Sequence, residues 1–366
     1  MDRGKKPCIS VESRNSNIHA DLKDIIRENA LRYLPAKSLH RFSCVCRGWK
    51  NYISTSLFAH IQSNYFHQIS GFFRRSRSSL FPSFISLDPM AFGVPDPSLR
   101  FLPEPVDVRC SSNGLLCCQA QGTANGYKPY YICNPVNQQW KKLPKPRANH
   151  GSDPALVLVF EPALEKFVVD YRLICAFKDT VGYKFDIYSS DEESWRTSRE
   201  IRLGNGVMII PDTGVYVNDC VYWRSRINEK MVIAFDLTTE KASLLFSHFP
   251  ARCLGNVNGK LYSGFLYDSD HFAFDMYNAV DAFMRGGKCR TAKDWSTKEL
   301  SLGDSDIIWP TEDAGRVLFI GGETMVIYAG ATFISQNKTT NDIKPLATEE
   351  DDGRGMIPYV NSLVEL

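Results

Sequence analysis

The sequence lacks the signatures on which most enzymatic chemistry is built. It contains no G-x-S-x-G, no Walker A segment, no H-E-x-x-H and no G-x-G-x-x-G after a strand pattern. Neither an activated nucleophile nor a phosphate cradle nor a zinc-bound water is therefore written into it, and a non-catalytic chain is expected. There are 7 histidines in 366 residues, and in the β-rich part only His150, His248 and His271 occur, which argues against an imidazole-built copper or iron centre. The close cysteine pairs Cys44/Cys46 and Cys117/Cys118 lack the C-x-x-C spacing of zinc ligands. No cofactor and no metal are expected.

Long apolar runs are also missing. No window approaches the ~20 residues of a membrane span. The opening "MDRGKKPCISVESRNSN" carries charge without the apolar stretch of a secretory leader, so the sequon at Asn337 carries little meaning. These absences lead to the expectation of a soluble intracellular chain, nuclear or cytoplasmic, with no membrane partner. A net charge of +2 calls for no nucleic acid either. The one basic cluster with aromatics, "GFFRRSRSSLF" with Arg74, Arg75 and Arg77, reads as a strand with solvated arginines near a hinge. The 11 cysteines are odd in number, and several sit inside apolar runs, such as Cys133 in "YYICNP" and Cys175 in "RLICAF". Free thiols acting as small hydrophobes in a reducing compartment account for them.

What is present is apolar and aromatic material, 43% and 12% of the chain, enough for a large core. Its patterning changes once. Residues 1–17 are polar and read as a flexible tail. From Asp21, a capping residue with Asp24 three positions on, Leu22, Ile26, Ala30 and Tyr33 recur at helical spacing until Pro35. A residue before proline is driven out of the α region, so Leu34-Pro35 forms a corner and Pro35 starts the next helix. Leu39, Phe42, Cys46, Trp49 and Ile53 then continue at steps of three or four, giving three short helices in a unit spanning 18–66.

From Gly71 the period becomes that of strands: "ALVLVFEP", "KFVVDYRLICAF", "YKFDIYSS", "MVIAFDL" and "RVLFIGG" are β-branched and aromatic runs bounded by turn residues. The region also repeats. In "YYICNPVNQQWKKLPKP" Trp140 lies six residues after Asn134; Trp195 follows Ser189, and Ser243 follows Leu237, by the same interval. With Trp295, Pro345 and an upstream echo at Leu99 in "LRFLPEP", the markers are spaced by 41, 55, 48, 52 and 50 residues. Six units of about fifty residues fit a β-propeller, each blade one four-stranded sheet. Residues 71–103 are short for a blade, so the terminal "MIPYVNSLVEL" is expected to complete the first blade and close the ring, removing open strand edges. Trp140, Trp195 and Trp295 are expected to pack between blades, and "ATEEDDGRG" to be a solvated acidic loop.

The opening run "LPAKSLHRFSCVCRGWKNYIS" resembles an F-box, a helical module that docks a Skp-type adaptor. The first half, "LKDIIRENALRYLP", departs from that pattern at Lys23, where proline is usual, at Asn29, where glutamate is usual, and at Ala30, where isoleucine is usual. Downstream, "SSNGLLCC" with "YYICNPVNQQWKKLP", and the closing "IPYVNSLVEL", resemble the F-box-associated region of plant F-box proteins, related to kelch propellers. The resemblance implies an α+β multidomain chain: an F-box over 18–66, then a propeller over 71–366. It also implies a substrate-recognition subunit of a Skp–cullin–RING ubiquitin ligase, with the propeller holding a target protein that the sequence does not name. A scaffold that no longer assembles productively with the ligase is the alternative.

Three short helices bury little core by themselves. Leu34, Pro35, Leu39, Val45, Cys46 and Trp49 are therefore expected to stay partly exposed until an adaptor covers about 1,200–2,000 Å² of interface. Leu22 and Ile26 of the first helix complete the expected adaptor-binding set. Target specificity is expected in loop tips, of which Tyr267 to Lys293 is the longest candidate. A short connection over 66–75 is expected to hold the propeller at a restricted angle to the adaptor.

Overall fold

The computed structural model describes residues 22–74, 79–88, 90, 92–122, 126–163, 169–180, 182–198, 206–266, 271–277, 295–301, 316–321, 324–329, 332–337, 340, 342–348 and 355–366. Asp21, Arg75, Arg77 and most of the acidic stretch lie outside them.

The amino-terminal unit holds four α-helices where three were expected: α1 (Leu22–Asn29), α2 (Ala36–Phe42), α3 (Arg47–Ile53) and α4 (Ser56–Tyr65), with one 3-10 turn at Leu31–Tyr33. The additional helix arises because Thr55 restarts the chain: its hydroxyl accepts the Phe58 amide at 3.1 Å as an N-cap. The corner at Leu34-Pro35 is present. Leu34 is extended (φ −95°, ψ 145°), and Pro35 precedes α2 at φ −67°.

Six sheets follow. Blade 2 is β3 (Val106–Ser112), β4 (Leu115–Ala120), β5 (Tyr130–Asn134) and β6 (Gln139–Lys142), after β1 (Gly71–Arg74) and β2 (Ser83–Ser86) of blade 1. Blade 3 is β7 (Ala155–Phe160), β8 (Tyr171–Asp179), β9 (Gly182–Ser189) and β10 (Ser194–Thr197). Blade 4 is β11 (Val215–Val217), β12 (Cys220–Arg224), β13 (Met231–Asp236) and β14 (Lys241–Phe246). Blade 5 is β15 (Cys253–Val257), β16 (Lys260–Leu266), β17 (His271–Tyr277) and β18 (Trp295–Ser301). Blade 6 is β19 (Arg316–Gly321), β20 (Thr324–Ala329), β21 (Thr332–Asn337) and β22 (Ile343–Thr348). The last strand, β23 (Met356–Tyr359), pairs with β1, Gly71 opposite Tyr359, and so closes the ring. Around the centre β23 lies against β3, β3 against β7, β7 against β11, β11 against β15 and β15 against β19. The fold is a six-bladed propeller preceded by a small helical unit.

The repeat markers fall on the outer strand of each blade: Trp140 in β6, Trp195 in β10, Ser243 in β14, Trp295 in β18 and Pro345 in β22. Asp236 pairs with Lys241 as Asn134 pairs with Gln139 and Ser189 with Ser194, so Ala242, not Ser243, is the true counterpart of the tryptophans. Leu99 marks no outer strand; it sits in a turn at φ +53°, and blade 1 has three strands among the described residues. The stretch from Tyr267 to Lys293 is likewise not one loop, since β17 lies inside it.

The turns explain the frame. Asn134 Oδ1 accepts the Val136 amide at 2.9 Å, and Asp236 Oδ1 accepts the amides of Thr238 and Thr239, both at 2.9 Å. Such Asx turns fold the chain back locally. Each hairpin then closes on a left-handed residue, Gln138, Glu193 or Glu240.

Core lies between blades, not within them. In β7, Leu156, Leu158 and Phe160 face blade 2, while Ala155, Val157 and Val159 face blade 4. A strand buried on both faces needs a continuous apolar run, which "ALVLVF" supplies. Cys133 and Cys175 are fully buried there, as expected of thiols acting as hydrophobes. Trp195 packs between blades 2 and 3, its indole N–H donating to Pro144 O at 2.8 Å. Trp140 does not: it is 43% exposed and stands edge-on to Tyr131 of its own blade. The side chain of Trp295 lies outside the described residues.

Candidate functional site

The helical unit forms a miniature core. Leu31, Leu39, Trp49, Ile53 and Phe58 are buried together, with Ile26, Leu34, Cys46 and Tyr52 packed partly against them and Leu363 reaching in from the end of the propeller. Cys46 N-caps α3, its Sγ accepting the Trp49 amide at 3.4 Å. That cap sets the start of α3 so that Trp49 points inward, edge-on to Phe42 at 5.7 Å between ring centroids.

This arrangement corrects the expectation of partial exposure for Pro35, Leu39 and Trp49. Leu39 is 0% and Trp49 7% exposed, and Pro35 is also buried. Tertiary packing that includes Leu363 supplies the missing cover. Leu34, Ile26 and Cys46 are half-buried. Only Leu22, at 68%, and Val45, at 58%, stand clear in water. The expected set thus divides into a buried group, a half-buried group and an exposed pair. Sequence reasoning missed three further exposed apolar side chains, Ile25, Phe42 and Leu57. Ile25 could have been found, since it follows Leu22 by one helical turn in α1, a helix with no buried residue. Leu22, Ile25, Phe42, Val45 and Leu57 are thus left exposed on the helical unit.

A second missed feature joins this unit to the propeller. Gln62, fully buried in α4, donates through Nε2 to Leu34 O at 3.2 Å and Asn361 O at 3.4 Å, and its Oε1 accepts the Leu363 amide at 3.3 Å. Ser63 Oγ donates to Asn113 O in the β3–β4 turn at 3.2 Å. In the β5–β6 turn Asn134 Nδ2 donates to Ser362 O and Val364 O at 3.0 and 2.8 Å, and Asn137 Nδ2 to Val364 O at 2.9 Å. Residues 360–366 therefore run as a strap between α4 and blade 2. Elsewhere Arg41 reaches Met90 O at 3.4 Å, and Phe66 lies against Phe92. The propeller's hold on the helices comes from these contacts as well as from the short connection.

Among the described residues no group of three or more His, Cys, Asp or Glu side chains could hold a metal ion. No helix of the described residues is long and apolar enough to cross a membrane.

The chain belongs to the family described as "F-box protein At3g26010-like, beta-propeller", whose model matches residues 67–262, and an F-box domain model matches residues 22–60. Similar proteins from Arabidopsis thaliana include F-box protein At5g07610, 29% identical over 252 residues (64% of this chain, 58% of that protein). F-box protein At5g49610 is 30% identical over 181 residues (45% and 47%). F-box/kelch-repeat protein At3g23880 is 22% identical over 231 residues (58% and 62%). The chain thus spans about half to three fifths of the length of these curated relatives. Among solved structures, TolB from Acinetobacter baumannii aligns over 79% of this chain and 66% of its own, with 8% identity and a TM-score of 0.42.

Proposed function

We propose that the chain is the substrate-recognition subunit of a Skp–cullin–F-box ubiquitin ligase, in which the helical unit docks a Skp-type adaptor and the propeller holds a protein for ubiquitination. The observation that carries this reading is the exposed apolar set on an F-box unit, Leu22, Ile25, Phe42, Val45 and Leu57. Burying such side chains against an apolar partner is worth about 25 cal/mol per Å² before the costs of association. The chain's part is positional. A target held at a fixed distance from the transferred ubiquitin raises the effective concentration of its lysines, and no residue of this chain acts on the transferred group.

Co-expression with a Skp-type adaptor tests the proposal. The wild-type chain should co-purify with the adaptor, and Leu22→Asp with Val45→Asp should abolish the complex while leaving the chain folded. Failure of the wild type to co-purify, or an unchanged complex with the double variant, would refute it. The departures at Lys23, Asn29 and Ala30 all lie on exposed positions in or next to α1 and favour a second reading, a binding scaffold that does not enter a complete ligase. Recovery of the adaptor without cullin would select that reading.

A further inference from the structure

The propeller end remote from the helices carries a basic hollow that neither the docking surface nor the strap uses. In blade 2 the β3–β4 and β5–β6 turns sit at one end and hold α4 and residues 360–366. Because the strands are antiparallel, the β4–β5 loop and the connection leaving β6 for blade 3 must sit at the other. There, between blades 2 and 3, lies a hollow of about 510 Å³, which shares Tyr127 and Lys145 with a second of about 630 Å³ that runs along the outer strands β6 and β10 as far as Glu193 in the β9–β10 turn.

The walls are fixed by buried polar groups. The His150 ring bonds to the Tyr130 hydroxyl through Nδ1 at 3.1 Å and to Asp186 Oδ2 through Nε2 at 2.9 Å. Arg109 donates to Asp153 Oδ1 at 2.6 Å and Pro154 O at 2.9 Å, with Asp212 at 3.7 Å. Burial works against its charge, but the carboxylates of Asp212 and Asp153 outweigh burial and hold the guanidinium above its ordinary pKa. Across the first of these pins, Asn149 Oδ1 accepts the Gly151 amide at 3.0 Å. A connection anchored in this way is preorganised, so a ligand need not pay to order it.

The charge in the hollows is one-sided. Lys128, Lys141, Lys142, Lys145 and Arg147 line them, against one carboxylate, Glu193, which Lys141 already holds at 2.5 Å. Among the described residues the smaller hollow is lined by Lys128, Lys145 and Arg147 and by no carboxylate. The Lys145 ammonium lies 5.6 Å from the Tyr127 ring centroid. Tyr127, Pro129 and Pro144 offer apolar wall beside the cations. Cations beside apolar surface match a chain that carries carboxylates on short aliphatic stems.

We infer that this hollow between blades 2 and 3 binds an acidic peptide segment of the target protein, its Asp and Glu carboxylates meeting Lys128, Lys145 and Arg147. The inference rests on the substrate-receptor reading for the identity of the ligand as a target. The binding itself is measured without the adaptor, so the two can fail separately.

The test is fluorescence anisotropy of the full chain with a fluorescein-labelled octaglutamate peptide, with octalysine and oligothymidylate as the other probes. Octaglutamate should bind, and more weakly as salt rises. Lys145→Glu with Arg147→Glu should weaken binding by at least about tenfold. Lys241→Glu, on the exposed outer strand of blade 4, should leave it unchanged. If the double variant melts below the wild type, the single Lys128→Glu takes its place, with a loss of about threefold or more expected. Absence of octaglutamate binding, equal binding by the charge-reversed variants, or tighter binding of oligothymidylate overturns the inference.

Discussion

Gln62 and Leu363 are joined across 301 positions of sequence: the Leu363 amide donates to Gln62 Oε1, while the Gln62 side chain donates in return to Asn361 O. One glutamine thus satisfies strap groups that would otherwise be buried without partners. It ties them to Leu34 O at the corner before α2 as well. Burial without such partners would cost each group roughly 1–3 kcal/mol.

Gln62→Ala should therefore destabilise the chain by about 2–3 kcal/mol, because several buried polar groups are orphaned together. Urea denaturation followed by circular dichroism measures this. Gln62→Glu should also be destabilising, since a carboxylate cannot donate to both carbonyls.

Gly114 lies at the β3–β4 turn with φ +95°, and a Cβ there would stand 2.1 Å from Ser362 Cβ. Gly114→Ala should therefore displace the strap before it disturbs the blades. Hydrogen exchange should rise over 360–366 and α4 and change little in β7–β9. Uniform exchange across the propeller would contradict this.

Leu39 and Val45 should respond oppositely. Leu39→Ala removes a fully buried side chain and should cost about 2–5 kcal/mol of stability. Val45→Asp alters a side chain already 58% exposed and should leave the melting temperature nearly unchanged while weakening adaptor binding. Equal loss of stability in both variants would show that Val45 is structural.

The thiols should sort by burial. Cys44 is exposed, whereas Cys117, Cys118 and Cys175 are fully buried, and burial pushes their pKa values well above the ordinary range. Only the thiolate reacts. Timed alkylation at pH 8 read by mass spectrometry should therefore label Cys44 before these three, which should react only after denaturant is added.

The parts of the fold that local chemistry dictates could be read from the sequence. Asn134 and Asp236 build their own turns, so the outer strands could be placed with nothing but neighbours in sequence. The one-residue slip at Ser243 comes from setting Leu237 against Asn134, when the turn is built by Asp236, one residue earlier. Leu99 misled for a related reason. Its "FLPEP" text matches "KLPKP", but its left-handed backbone makes a turn and not an outer strand.

The candidate site was legible in part. Helical spacing located the apolar faces around Leu22, Ile26, Leu39 and Trp49, but spacing says nothing of which face finds cover within the same chain. That cover includes Leu363, more than three hundred residues away, and no local pattern announces it. The buried polar ties of Gln62, Asn134 and Asn361 escaped for the same reason, since an isolated glutamine or asparagine in text is indistinguishable from a solvated one.

The pairing of β23 with β1 has a consequence for biosynthesis. On a ribosome the helices emerge before the propeller, yet blade 1 cannot acquire its innermost strand until residue 359 has been translated. Until then the nascent polypeptide exposes an unzipped sheet edge beside its helical unit. Chaperone occupancy during translation should therefore persist to the final codons of the β-region, and a premature stop there should yield a product that is cleared and not tolerated.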